Sequence, residues 1–432
     1  MFMFRRFHGD FIVVGKENIP SNSPVIFAPN HINALMDALA VHYIAPRNQA
    51  LIFLARADMF KNKVAAKFLR FAKIMPAFRI RDGFENLGNN ADVFDQCIEI
   101  LHSNQAIGIM PEGNQEIERK LRPLVKGIFR IAFAAQQKYW ENAGVKIVPV
   151  GIDYGDLVKS QKHIIINIGK PIEVADYIKL YADNPAKATN EIKDRLRDDL
   201  CNLTLNLATD NHYECFETVV ETFQQSALEK LKLTKNTLNE FIARQYIANR
   251  LIEIEKNQHD KMIQIDSLSL RLSGNLKQLK IMSGFLFQKD FNLLKLTLES
   301  IFMLISFPLF LAGLILNFAP FFSPVLIRKY IFKAQYIGFF SSLHFGLSLI
   351  TFPLFYIAQT FLFMIFVSNL WWAVLLFLLA QYPLGKLALS SYSKAIKFKA
   401  KMHFMKIKKH QSNELTNAQE IYATIENLVF PD

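Results

Sequence analysis

Residues 296–389 carry one acid, Glu299, and four strong bases, Arg328, Lys329, Lys333 and Lys386, together with His344. A stretch this long and this poor in charge has to lie in lipid or in a deep core, and it limits everything else the chain can do. Residues 296–322 suffice to enter or cross a bilayer, which takes about 20 apolar residues. Pro308 and Pro320 within them and Pro324 just beyond predict a kinked, re-entrant or broken helix. Residues 336–385 have room for two spans turning at 368–372, where Trp371 and Trp372 suit a lipid–water interface. Arg328, Lys329 and Lys333 before this pair, and Lys394, Lys397, Lys399, Lys401, Lys406, Lys408 and Lys409 after it, put both basic stretches on the cytoplasmic side by the positive-inside bias.

The rest of the chain is of a different kind. With 50 Lys and Arg against 38 Asp and Glu, the net charge of +12 points to anionic partners. Nucleic acid is not expected, since no binding motif accompanies the charge. Cys97, Cys201 and Cys215 form neither a disulfide framework nor a metal-like cluster, and His102, His163 and His212 lack ligand spacing, so no metal is expected. The N-terminal Phe2, Phe4, Arg5, Arg6 and Phe7 read as a small interfacial foot or as disorder.

Residues 10–210 alternate short apolar runs with helical patterns. Strands are expected at 11–14, 25–28, 52–55, 106–110, 146–152 and 163–168, and helices at 34–44, 61–71, 91–103, 127–143 and 185–210. Such alternation predicts an α/β layer fold with functional loops at the strand ends. Residues 217–282 read as amphipathic helix. The expected organisation is an α/β domain over 1–215, a helical connector over 216–294, a membrane region over 295–392 and a basic cytoplasmic tail over 393–432.

Within the α/β part, Asn30-His31-Ile32-Asn33-Ala34-Leu35-Met36-Asp37 sits between an apolar strand and a helix, with Asn33 as the expected N-cap. His31 then lies in the turn and Asp37 about one turn into the helix, near its positive end. An imidazole oriented by a carboxylate can take a proton from an attacking hydroxyl. Three further segments stand out: Met75-Pro76-Ala77-Phe78-Arg79-Ile80-Arg81, Met110-Pro111-Glu112-Gly113-Asn114, and Ile147-Val148-Pro149-Val150. Each alone is ordinary: a pair of edge charges, a turn, an edge proline.

Taken together and in this order, Asn-His…Asp, the arginine pair, Pro-Glu-Gly and Val-Pro resemble the glycerolipid acyltransferase family, which includes the glycerol-3-phosphate and 1-acylglycerol-3-phosphate acyltransferases. The resemblance covers roughly residues 10–210, and Leu121-Arg122-Pro123-Leu124-Val125-Lys126-Gly127 looks like the Lys-x-Gly segment opening the family's next helix. Two departures stand: five residues rather than four separate His31 from Asp37, as in a subgroup resembling fungal glycerol-3-phosphate acyltransferases, and Asn114 replaces the usual threonine. The resemblance implies an O-acyltransferase of phospholipid synthesis. In it His31 is general base and Asp37 its orienting partner, Arg79 and Arg81 meet the acceptor phosphate, and Glu112, Gly113 and Asn114 belong to the acceptor site. Backbone amides near the turn are candidates for holding the oxyanion. The implied acyl donor is acyl-CoA or acyl carrier protein, with no cofactor. Glycerol-3-phosphate and lysophosphatidate are both open as acceptors, with membrane lipid as a partner. The alternatives are another lyso-lipid acceptor or a silent lipid-binding scaffold. The protein is expected to be integral to a membrane, with its catalytic domain facing the cytoplasm.

Overall fold

The computed structural model describes the chain except residues 22, 62, 72, 78–86, 140–143, 288–290, 410–412 and 432. It divides into two compact units, one of residues 1–208 with 336–342, the other of 209–335 with 343–432.

The first unit is an α/β layer built on an eight-stranded sheet, as the alternation predicts. Its strands are β1 (Phe11–Val14), β2 (Val25–Pro29), β3 (Leu51–Arg56), β4 (Ile74–Ala77), β5 (Ala106–Gly108), β6 (Lys146–Tyr154), β7 (Ile164–Ile168) and β8 (Ile172–Glu173). Their order is β1-β7-β6-β2-β5-β3-β4, with β8 beside β6. All neighbours run parallel except β6–β7 and β6–β8, which are antiparallel. β2 lies at the centre and is buried throughout, which is why Val25-Ile26-Phe27-Ala28 reads as an unbroken apolar run instead of an alternation. One sheet face, including Ile26, Ala28, Ile107 and Ile147, packs under helices Leu87–His102, Gly127–Tyr139 and Pro185–Leu203 through Leu101, Phe129, Phe133 and Leu196. Helix Leu35–Ile44 packs on β2 and β6.

Two strands are absent from the sequence expectation. β4 contains Pro76, and the edge of the sheet is where a residue without an N–H fits. β8 is two residues long. Pro149 sits inside β6, at the point where its partner changes from β8, opposite Lys146 and Ile147, to β7, which starts opposite Val150. The N-terminal residues form helix Phe2–Phe7, which exposes Phe2 but buries Phe4 against His8 and Phe11.

The second unit is helical. Helices Thr237–Asn257, His259–Leu279 and Asn413–Val429 share a core that includes Leu251, Met262, Ile265, Ile421 and Ile425. Among the described residues, three helical stretches are long and apolar enough to cross a membrane: Leu293–Phe332, Ile337–Phe366 and Trp371–Lys409. The expected turn near residues 368–372 falls between the last two. The expected break at the prolines does not occur, because helix Leu293–Leu326 runs through all three. Pro320 and Pro324 cannot bond the carbonyls of Leu316 and Pro320, four residues back. Gln359 Nε2 donates to the Leu316 carbonyl at 2.9 Å and Thr351 Oγ1 to that of Pro320 at 3.3 Å, so a neighbouring helix supplies the missing donors.

Helices Leu293–Leu326 and Trp371–Lys409 pack closely around Gly313, where an added Cβ would lie 2.2 Å from the Leu384 carbonyl oxygen and 3.0 Å from Ala388 Cβ. Asn317 ties the same region by donating to the Gln381 carbonyl at 3.1 Å and accepting from the Tyr356 hydroxyl at 2.6 Å. Close approach at a small residue, with polar side chains across the contact, is how helices associate where lipid removes the hydrophobic drive. Gly313→Ala is therefore expected to push the helices apart at a cost of about 1–3 kcal/mol. Thermal unfolding in detergent checks this, and an unchanged midpoint would contradict the packing.

Candidate active site

β2, β3, β4, β5 and β6 run in one direction, so their C-terminal ends meet at one edge of the sheet. In open parallel sheets ligands bind at that edge. Two of the sequence segments named above leave strands there, and a third lies within β6. His31 follows β2, the Pro-Glu-Gly turn follows β5, the Val-Pro strand is β6, and the stretch bearing Arg79 and Arg81 follows β4 in sequence. Arg79 and Arg81 themselves lie outside the described residues.

Asn30 secures the start of the loop. Its side chain accepts from the Ile152 amide at 2.7 Å and donates to the Ile152 carbonyl at 3.1 Å, extending the β2–β6 pairing by one residue. His31 Nδ1 then stands 2.9 Å from Asp37 Oδ2. With a carboxylate as partner, Nδ1 carries the proton and Nε2 keeps its lone pair. The His31 side chain is 19% exposed and that of Asp37 is fully buried.

Asp37 is saturated with donors. Oδ2 also accepts from the amides of Ile32 at 3.0 Å and Asn33 at 2.8 Å, and Oδ1 accepts from the Tyr154 hydroxyl at 2.9 Å. Tyr154 is the last residue of β6 and wholly buried. That burial, with Asp37 beside it, holds its hydroxyl well above its ordinary pKa, so it remains a donor.

The expected cap is not made as predicted. Helix Leu35–Ile44 has Ala34 at its N-cap, and no side chain of the capping residue bonds to it. Asn33 instead offers its Oδ1 to the Ser341 hydroxyl at 2.5 Å, while its carbonyl accepts from the Met36 amide at 2.9 Å. In this turn Ala34 holds φ at +45°. An L-residue with a side chain rarely occupies that region.

Glu112 lies across from the loop and is also buried. Its Oε1 accepts from the His31 amide at 2.8 Å, and its Oε2 from the Arg122 amide at 3.0 Å and Arg122 Nε at 3.3 Å. Burial pushes its carboxyl pKa up, against the pull of these donors. Gly113 follows at φ +68°, closing a turn in which its amide donates to the Met110 carbonyl at 3.1 Å. Positive φ is the reason glycine stands here. Asn114 is exposed. The amides of His31, Ile32, Asn33 and Gly113 are thus all engaged within the protein, which removes them from the amides considered for an oxyanion.

Three residues at this site gave no sign in the sequence reading. Tyr154 lies 117 residues from its partner Asp37, and Ser341 lies 308 from Asn33. Arg122 was noted only as part of the segment before a helix, yet it pairs with Glu112. Its Nη1 stands 3.5 Å from Glu116 Oε1, and its Nη2 is buried with no hydrogen-bond partner among the described residues.

Residues 10–153 match the family model described as Acyltransferase. Glycerol-3-phosphate O-acyltransferase 2 of Saccharomyces cerevisiae is 24% identical over 202 residues, covering 45% of this chain and 26% of the yeast protein. Glycerol-3-phosphate O-acyltransferase 1 of the same yeast is 31% identical over 104 residues, 24% of this chain and 14% of the relative. The 1-acyl-sn-glycerol-3-phosphate acyltransferase of Borreliella burgdorferi is 25% identical over 190 residues, 43% of this chain and 69% of the relative. The match thus spans about a quarter or less of the length of either yeast relative. The crystal structure of the 1-acyl-sn-glycerophosphate (LPA) acyltransferase PlsC from Thermotoga maritima aligns with 45% of this chain and 74% of its own, at 20% identity and a TM-score of 0.32.

Two outcomes follow from the geometry. Tyr154→Phe keeps the ring but leaves Asp37 Oδ1 without its donor, and should destabilise the protein by about 1–3 kcal/mol in thermal unfolding; an unaltered midpoint would mean the hydroxyl contributes nothing. The second concerns His8, packed against the rings of Phe4, Phe7, Phe11 and Tyr154. Burial lowers its pKa from 6.5 to about 4, partly opposed by a hydrogen bond to the Lys162 backbone. Between those values the unfolded chain binds the proton and the folded one does not, so stability falls as pH drops through that window. The expected loss from about pH 7.5 to about pH 5 is about 2 kcal/mol. His8→Phe should flatten that part of the stability–pH curve, and a variant curve parallel to that of the wild type would exclude His8 as the cause.

Proposed function

We propose that this chain, whose residues 10–153 match the Acyltransferase family model, moves a fatty acyl group from a thioester donor to a hydroxyl of a glycerol phosphate. The observation that supports this most is the His31–Asp37 pair at 2.9 Å, with the carboxylate held by three further donors.

In the proposed reaction His31 Nε2 takes the proton of the acceptor hydroxyl as its oxygen attacks the thioester carbonyl carbon. Asp37 keeps the proton of Nδ1 in place and stabilises the imidazolium that forms. Collapse of the tetrahedral intermediate breaks the C–S bond, and the imidazolium returns its proton to the departing thiolate. No serine nucleophile takes part, because the acceptor oxygen attacks directly. Glu112 acts by holding the His31 amide and Arg122, and so fixes where the imidazole stands.

The donor is acyl-CoA or acyl carrier protein, and either acidic partner suits a chain of net charge +12. The acceptor is glycerol-3-phosphate or lysophosphatidate, with the five-residue spacing favouring the first. Arg79 and Arg81 are proposed to hold its phosphate, since guanidinium matches phosphate with two parallel hydrogen bonds. Arg122 joins them through its buried Nη2, which has no hydrogen-bond partner among the described residues. We place the basic stretches that flank the pair of apolar helices on the cytoplasmic side of the membrane.

The test is acyl transfer by the full chain, with labelled acyl-CoA or acyl carrier protein offered to each acceptor. His31→Ala should lower kcat by about three orders of magnitude or more, and Asp37→Asn by a comparable factor. Transfer to one acceptor that vanishes in His31→Ala supports the reaction and names the substrate. Folded wild-type protein that transfers nothing to either acceptor would overturn it.

A further inference from the structure

We infer that residues 336–342, far from the family segments in sequence, are part of the catalytic machinery, with Ser341 as a positioning residue for the His31–Asp37 loop. The inference rests on the acyltransfer reading for its use, but not for its geometry.

These residues belong to the same compact unit as residues 1–208. They touch both sides of the site. On one side the buried Ser341 hydroxyl donates to Asn33 Oδ1 at 2.5 Å, and Ser342 Oγ lies 3.5 Å from the Asn33 carbonyl oxygen. On the other, the Tyr336 hydroxyl donates to the Gln115 carbonyl at 3.1 Å, three residues beyond Glu112. Gly338 fits between them with no room to spare, since a Cβ there would lie 2.1 Å from Gln115 Nε2 and 2.7 Å from Tyr336 Cε1. The segment therefore bridges the two turns that Glu112 already joins through the His31 amide.

The need for such a bridge follows from the backbone. Ala34 holds φ +45° and ψ −122°, a conformation that persists only where neighbours impose it. Asn33 is the residue before it and sends its own amide to Asp37 Oδ2. A chain of three contacts thus runs from Ser341 to Asn33, from Asn33 to Asp37, and from Asp37 to His31. Loss of the Ser341 hydroxyl would leave a buried amide oxygen unpaired and the strained turn free to relax. The imidazole would then lose its aim without losing any group that touches substrate. Ser341 is the second residue of the apolar helix Phe340–Phe366, so the chain that clamps the catalytic loop continues directly into a helix long enough to cross a membrane.

The experiment uses the full chain in detergent or vesicles, with Ser341→Ala, the near-isosteric Ser341→Cys, which lacks a comparable donor, and Ser341→Thr, which keeps the hydroxyl. Ser341→Ala and Ser341→Cys should lower kcat about tenfold or more with KM for donor and acceptor within about twofold, and Ser341→Thr should restore most of it. Asn33→Ala should cost a similar factor, and the double variant Asn33→Ala with Ser341→Ala no more than the worse single one. Hydrogen exchange of the Ile32 and Asn33 amides, read by mass spectrometry, should quicken in Ser341→Ala and not in Ser341→Thr. Exchange reads the clamp even if the wild type transfers no acyl group, an outcome that would sink the acyltransfer reading alone. Exchange unchanged in Ser341→Ala, kcat within twofold of an active wild type, or losses that multiply in the double variant would each overturn the inference.

Discussion

The carboxylate of Asp37 is the point on which the first unit turns. It is fully buried in the first turn of helix Leu35–Ile44, where a charge without partners is costly. Four groups meet it: an imidazole, two successive backbone amides and a tyrosine hydroxyl. Each fixes something different. The amides set the path of the loop after β2, the tyrosine ties the loop to the end of β6, and the imidazole is left with one tautomer. The same four contacts that make the charge tolerable therefore also define the geometry of the site.

A second buried carboxylate, Glu112, extends the logic. Its two oxygens face two different chain segments, the His31 amide on one side and Arg122 on the other. The Pro-Glu-Gly turn is placed in this way by what it binds as much as by its own backbone. In the second unit the polar contacts play a comparable part. Pro320 and Pro324 each free a carbonyl within an apolar helix, and Gln359 and Thr351 from another helix meet them. The helix continues past Pro320 and Pro324 with a neighbouring helix replacing the bonds they cannot make.

Much of this was legible in the sequence, for identifiable reasons. The parallel strands announce themselves because burial on both faces makes them continuously apolar, and Val25–Ala28 and Ile147–Val148 read accordingly. His31 and Asp37 lie close in sequence and on either side of a helix start, so their meeting is a local event that spacing can foresee. What escaped is what depends on distant chain. β4 is short and contains Pro76, which only its edge position explains. Asn33 has the composition of an N-cap, but a serine 308 residues away claims its side chain. Tyr154 looks like any other aromatic at a strand end until the sheet brings it beneath helix Leu35–Ile44. The prolines suggested a broken helix because the donors that repair it lie on another one.

The filled state of the backbone amides constrains the chemistry further. A tetrahedral oxyanion needs donors aimed at it from a fixed frame. The loop after β2 and the turn after β5 hold the amides nearest to the imidazole in sequence, yet His31 is bound to Glu112, Ile32 and Asn33 to Asp37, and Gly113 to Met110. These donors have been used to build the base. Under the proposed reaction the oxyanion must then be met by other groups at the same sheet edge, and cations are the partners that a developing negative charge favours most. Arg122 stands next to Glu112 with one buried guanidinium nitrogen still unpaired among the described residues. An arginine serving the intermediate as well as the acceptor phosphate would make phosphate binding and rate fall together on its removal, because one positive charge would answer two negative ones.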